Sequence, residues 1–184
     1  SVCSVACAAG ANVALFWALK EWLGPRPGER LLLALTVLLP LGYALAFSHY
    51  SVRVAYANFV LAARHRVVAR AALFPQVPVS LPWRALITMC YSIVSVFTVG
   101  RGVLGGFFPE LYPHFAAPHP INVRAQVAAN LTLVLSTVAV LVAWRDEADI
   151  KLLEQALTDG LTGLVNRRGW DARAPAMFDQ ARRH

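Results

Sequence analysis

Four long apolar runs dominate this chain and leave few folds open to it. Residues 1–19 carry no charge, 31–48 carry none, 85–108 are interrupted only by Arg101, and 125–144 are uncharged throughout. A helix crossing a bilayer needs about 20 mostly apolar residues, because the hydrocarbon core is about 30 Å thick and each residue rises about 1.5 Å. Pro40 and Gly42 lie inside the second run, and membrane helices tolerate both. No run alternates with period two, which excludes a membrane β-barrel. The composition agrees: 58% hydrophobic and 15% charged, against about 45–50% and about 25% in soluble domains. The expected fold is an all-α integral membrane bundle.

A fifth segment is shorter. Arg53 and Arg64 enclose ten uncharged residues, VAYANFVLAA, and arginines at both ends of a span can snorkel to the headgroups. The net charge of +7 offers a test, since basic residues collect in cytoplasmic loops. With five spans, Lys20, Arg26, Arg30, Arg64, Arg66, Arg70 and Arg84 lie on the side of the C-terminus and only Arg53 and Arg124 lie opposite, seven against two. With four spans the count is five against four. Five spans are therefore expected, at about 1–19, 31–48, 50–64, 85–108 and 125–144, with the N-terminus outside and the C-terminus cytoplasmic. Trp22, Trp83 and Trp144 fall at the cytoplasmic interfaces of this arrangement, as an aromatic belt would. The outer loop PELYPHFAAPHPIN carries four prolines and is expected to be an extended connection. The chain opens on Ser1, with no basic region before its first apolar run. A processed chain or fragment is expected, without a signal peptide.

After Trp144 the composition turns charged. RDEADIKLLEQAL (145–157) places Ile150, Leu153 and Leu157 at spacings of three and four, one apolar stripe on a helix. Residues 145–158 are expected to form a cytoplasmic linker helix, either solvated or paired with its twin in a homodimer. In the next stretch, LTDGLTGLVNRRGW, Gly160 and Gly163 suit a tight turn. Asn166 is placed to cap a helix starting at Arg167. Leu161 and Leu164 are expected to enter a core, and Asp159 to pair with Arg167 or Arg168.

The string D-x-L-T-G-L-x-N-R-R is present in full as Asp159, Leu161, Thr162, Gly163, Leu164, Asn166, Arg167 and Arg168. It resembles the opening motif of GGDEF domains, the catalytic domains of bacterial diguanylate cyclases. In that family the motif commonly follows a signalling helix, often one that leaves a multi-span membrane region, and residues 125–170 resemble such a junction. The resemblance implies that 159–184 is the truncated start of an α/β GGDEF domain, here its first turn and helix. It implies a structural and signalling role for the eight motif residues, and a location in the bacterial inner membrane. Magnesium and GTP are implied for the full-length protein, which would make cyclic di-GMP from two GTP. The family's ligands for them come later in its domain, and no GGDEF-type loop occurs in these 184 residues. This chain is therefore expected to hold no catalytic residue and no cofactor. Pro175 and Ala174 depart from the family pattern, Pro175 falling where the first domain helix continues.

Other polar groups are weighed against plainer roles. Arg101 and Asn130 form a possible intramembrane polar site, since a charge at a span's centre costs about 2.5–3.5 kcal/mol on insertion scales. Arg101 is also close enough to the outer interface to snorkel. Interhelical hydrogen bonds are the expected role of Asn58, Gln126 and Asn130. His114, His119 and Glu110 share a loop without metal-site spacing. Cys3 and Cys7 are expected to be packing residues. The stretch RHRVVAR (64–70) is expected to meet anionic lipid headgroups and not nucleic acid. Two other classes remain open: a non-enzymatic membrane adaptor dimerising through its tail, and a transporter-like bundle, which should show repeats and more intramembrane charge.

Overall fold

Each of the five apolar segments forms an α-helix: α1 (Val2–Leu23), α2 (Glu29–Leu45), α3 (Tyr50–Leu73), α4 (Leu81–Phe107) and α5 (Pro120–Leu157). The computed structural model describes every residue except 1, 26, 78, 115–117, 160–161, 172–173, 175–177, 179–181 and 183–184, and leaves aside the side chains of 2–9. Among the described residues no strand accompanies the helices, and one isolated antiparallel bridge joins Thr158 to Val165. Two helices, Leu81–Phe107 and Pro120–Leu157, are long and apolar enough to cross a membrane. The chain divides into two compact units, Ser1–Val140 and Leu141–His184.

In the first unit the contacts sort the helix ends into two groups. At one end, Lys20 Nζ donates to Glu29 Oε2 at 2.8 Å and Trp17 Nε1 to Glu29 Oε1 at 3.2 Å, closing the α1–α2 turn. The Lys20 hydrogen bond holds the Glu29 carboxyl below its usual range, so this staple loosens as the pH falls through that lowered value. Gln76 N donates to Leu23 O, and the Trp22 and Trp83 rings meet edge to face at 6.0 Å. Arg84 caps α3: its Nε donates to Ala72 O at 3.0 Å and its Nη2 to Leu73 O at 2.8 Å. A cation there complements the negative end of the helix dipole and fills carbonyls with no partner inside the helix.

At the other end, Arg53 Nη1 donates to Phe47 O at 2.5 Å and lies over the Phe47 ring at 4.9 Å. Tyr50 donates to Tyr112 O at 3.1 Å, and Tyr112, fully buried, donates to Asn122 Oδ1 at 2.5 Å. The loop after α4 is thus pinned by an aromatic residue and not merely strung between helices. The chain reverses at each connection from α1 to α5.

The closest pairing is α3 with α4. Val54, Asn58, Ala62, His65, Ala69 and Ala72 are buried along α3 at spacings of four and three, one continuous face. On α4, Gly102, Gly105 and Gly106 meet it, and a Cβ built on Gly105 would strike the Val54 side chain. Likewise a Cβ on Gly42 of α2 would strike the Tyr56 ring, whose hydroxyl donates to Leu38 O at 2.6 Å. Small residues let backbones approach this closely.

Helix α3 runs on to Leu73, beyond the span expected to end at Arg64. Arg64 is 0% exposed, so it is not a headgroup-facing flank, and of the expected lipid-facing basic stretch only Arg66 and Arg70 are exposed. The small buried face around Arg64 accounts for this: α4 packs against α3 past the point where hydropathy falls.

Candidate functional site

The motif residues of the second unit build a turn stitched by their own polar groups. Helix α5 ends at Leu157. Asp159 N donates to Leu164 O at 2.7 Å, and Gly163 N returns a bond to Asp159 O at 2.9 Å. The Asp159 carboxylate accepts from both Thr162 N and Thr162 Oγ1 at 3.0 Å, a local side-chain-to-backbone bond that favours a turn over continued helix. Gly163 has φ +68°, a left-handed conformation that side chains resist.

Asn166 then joins two helices. Its Nδ2 donates to Ala156 O at 2.8 Å and to Thr158 O at 3.3 Å, covering carbonyls at the end of α5. Its Oδ1 accepts from Gly169 N at 2.9 Å, the capping geometry of a helix whose first residue is Arg167. Gly169 is buried against Leu157, where a Cβ would lie 2.5 Å from the Leu157 carbonyl oxygen and 2.7 Å from Val165 Cγ1. The turn therefore accepts no larger residue at 169 without shifting.

Several expectations meet their outcome here. Leu164 is 69% exposed. It does not enter a core, because the turn satisfies its polar groups locally and brings no apolar surface over this side chain. Leu161, Gly160 and Pro175 lie outside the described residues, while Ala174 is half-buried. Arg167 Nε stands 4.0 Å from Asp171 Oδ2, both well exposed, and Arg168 is exposed. Upstream, Ile150 and Leu153 are 54% and 60% exposed, and Leu157 is half-buried. The exposed pairs Arg145–Asp149 and Lys151–Glu147 flank the stripe. Such pairs contribute only about 0–1 kcal/mol each.

The first unit holds a polar layer that sequence spacing did not reveal. Tyr91 donates to Asn12 Oδ1 at 3.2 Å, and both are buried. His65 packs edge-on to the Tyr91 ring at 5.7 Å, beside the buried Arg64. Ser95 donates to Ala62 O, Thr88 to Ala69 O and Thr132 to Cys90 O. Hydroxyls and a phenol thus supply the interhelical bonds. The amides expected to do so bond inside their own helices: Asn58 Nδ2 to Val54 O at 2.8 Å, and Gln126 Nε2 to Asn130 Oδ1 at 3.3 Å. Asn130 is exposed and Arg101 half-buried. The available sequence clue was the 58–62–65–69–72 spacing on α3, which marks His65 as inward-facing despite two adjacent arginines.

Among the described residues no three His, Cys, Asp or Glu side chains gather as a metal site. His119 instead packs on Tyr112 at 6.0 Å, and its Nδ1 accepts from Ile121 N. Compared with protein-family models, with curated proteins and with solved structures, the chain shows no match.

Proposed function

We propose that this chain is the membrane sensor-anchor and signalling linker of a bacterial diguanylate cyclase, ending just inside its GGDEF domain. The observation that carries the reading is the complete D-x-L-T-G-L-x-N-R-R string, folded as a turn in which Asp159, Thr162, Gly163 and Asn166 each make specific backbone bonds. In this reading the turn couples the linker helix to a catalytic domain that holds magnesium and GTP. Ile150, Leu153 and Leu157 form the seam of a homodimer. The test is synthesis of cyclic di-GMP from GTP and magnesium. The product of the complete gene should make it, and the 184-residue chain alone should not. Product from the chain alone, or none from an intact gene product carrying a complete catalytic loop, would overturn the reading.

Five spans, with the N-terminus outside and the C-terminus cytoplasmic, belong to the same proposal. Support comes from the two groups of helix ends: Lys20, Glu29, Trp83 and Arg84 share contacts at one, Tyr50, Tyr112 and Asn122 at the other. Among the described residues, Lys20, Arg30, Arg66, Arg70 and Arg84 fall towards the first end, and Arg53 and Arg124 towards the second. Single cysteines at Pro27, Gln76 and His114, in a background lacking Cys3, Cys7 and Cys90, provide the check. An impermeant thiol reagent on intact cells should label position 114 and spare 27 and 76. Labelling at 27 but not 76 would show four spans.

A further inference from the structure

Within the first unit, α5 has two sharply different sides. Ala125, Ala128, Thr132, Ser136 and Ala139 are buried, and Thr132 bonds to Cys90 O of α4 at 3.3 Å. Gln126, Asn130, Leu133 and Thr137 are all exposed. At about 100° per residue these four lie within about 60° of one another, and their centre is about 130° round the helix from that of the buried stripe. Their spacings of four, three and four are those of a left-handed helix pair.

The chemistry of this face is unusual for a helix apolar enough to cross a membrane. Gln126 Nε2 donates to Asn130 Oδ1 at 3.3 Å, and neither side chain forms another hydrogen bond among the described residues. The Asn130 amide donors and the Gln126 carbonyl remain to be satisfied. Asn130 is five residues into the span expected at 125–144, about 7.5 Å along its axis, below the headgroups, where lipid tails offer no donor or acceptor.

We propose that Gln126, Asn130, Leu133 and Thr137 form a seam that takes the same face of a second copy of this chain, about a two-fold axis along the membrane normal. The amide selects that occupant. It is donor and acceptor together, so it complements its own symmetry mate, whereas two identical carboxylates or ammonium groups would repel. An isologous contact requires this self-complementarity. Leu133, with the neighbouring exposed Val123 and Val134, supplies the apolar packing. The inference needs α5 to span a membrane and does not rest on the diguanylate cyclase reading. The membrane seam lies in the first unit and the linker seam in the second, so each has its own test.

The test is oxidative cross-linking of the full chain in membranes, in the background lacking Cys3, Cys7 and Cys90. Leu133→Cys and Thr137→Cys should give covalent dimers. Leu131→Cys and Val138→Cys, exposed on a different side, should not. In detergent, sedimentation equilibrium should show dimer affinity falling at least tenfold in a Gln126→Leu/Asn130→Leu double variant and largely retained in Asn130→Gln. Unchanged helicity and melting would show that the fold is intact. Equal cross-linking at all four positions, or a dimer indifferent to the amides, would overturn the proposal. So would cross-linking at Leu153→Cys with none at 133, which leaves the linker seam standing alone, or cross-links at 133 to a different protein.

Discussion

Gly105→Ala is expected to lower the melting temperature of the chain by several degrees, and Gly105→Leu to prevent the α3–α4 pair from seating at all. A Cβ at 105 would collide with Val54 and lie 3.3 Å from Tyr112 Cδ1, and both neighbours are buried. Val54 is β-branched and holds one rotamer on a helix, so it has little freedom to give way. Tyr112 is tied by hydrogen bonds at both its carbonyl and its hydroxyl. Overpacking of this kind costs about 1–3 kcal/mol, and in a chain of this size each kcal/mol moves the midpoint by about 2–4 °C. Gly10 is the matched control: it lies on α1 with no atom within 4 Å of its Cβ position. There alanine should leave melting unchanged or raise it, because glycine in a helix costs about 0.5–1 kcal/mol relative to alanine. Circular dichroism melts in one detergent decide the matter. A Gly105→Ala chain that melts with the wild type would mean that α3 and α4 are not in close contact.

The second large effect concerns the linker. One residue inserted between Lys151 and Leu152 rotates everything downstream by about 100°, and seven nearly restore the phase. If the complete protein is the diguanylate cyclase proposed above, the single insertion should change cyclic di-GMP output strongly and the seven-residue insertion should largely return it to the starting level. The reason is that Asn166 bonds directly to Ala156 O and Thr158 O, so the entry turn follows the rotation of the last turn of α5. Equal output from both insertions would reduce the helix to a tether.

The entry turn was legible because its bonds are local. Every partner of Asp159 and Asn166 described above lies within ten residues, so turn chemistry and capping rules reach it directly. Four of the helices were legible for a related reason, since hydrophobic runs of span length report on themselves, while α3, with only ten uncharged residues between Arg53 and Arg64, was legible through the basic bias of the loops. Their ends were not. Hydropathy stops α3 at Arg64, while the helix continues on contacts with α4 that no window of sequence contains. The hydrogen-bonding of the amides was hidden for the same reason. Asn58 and Gln126 found acceptors four residues away, whereas Tyr91 reached Asn12 across 79 positions. Leu164 departs in the opposite direction: it is exposed, and an apolar residue in a motif implies a core only when the surrounding chain brings one.

The arginine cap on α3 bears on how the protein is made. In the five-span reading α3 carries Arg53, Arg64, His65, Arg66 and Arg70, and each central arginine adds about 2.5–3.5 kcal/mol to the cost of entering the bilayer alone. Helix α4 carries the apolar length that α3 lacks. Arg84 meets Ala72 O and Leu73 O only eleven or twelve residues back, a loop that closes in about 10–100 ns. That is far faster than the ribosome adds its next residue. In the five-span reading the Arg84 clamp therefore ties the end of α3 to the start of the more apolar α4, and the pair would share the cost that the arginines impose on α3 alone.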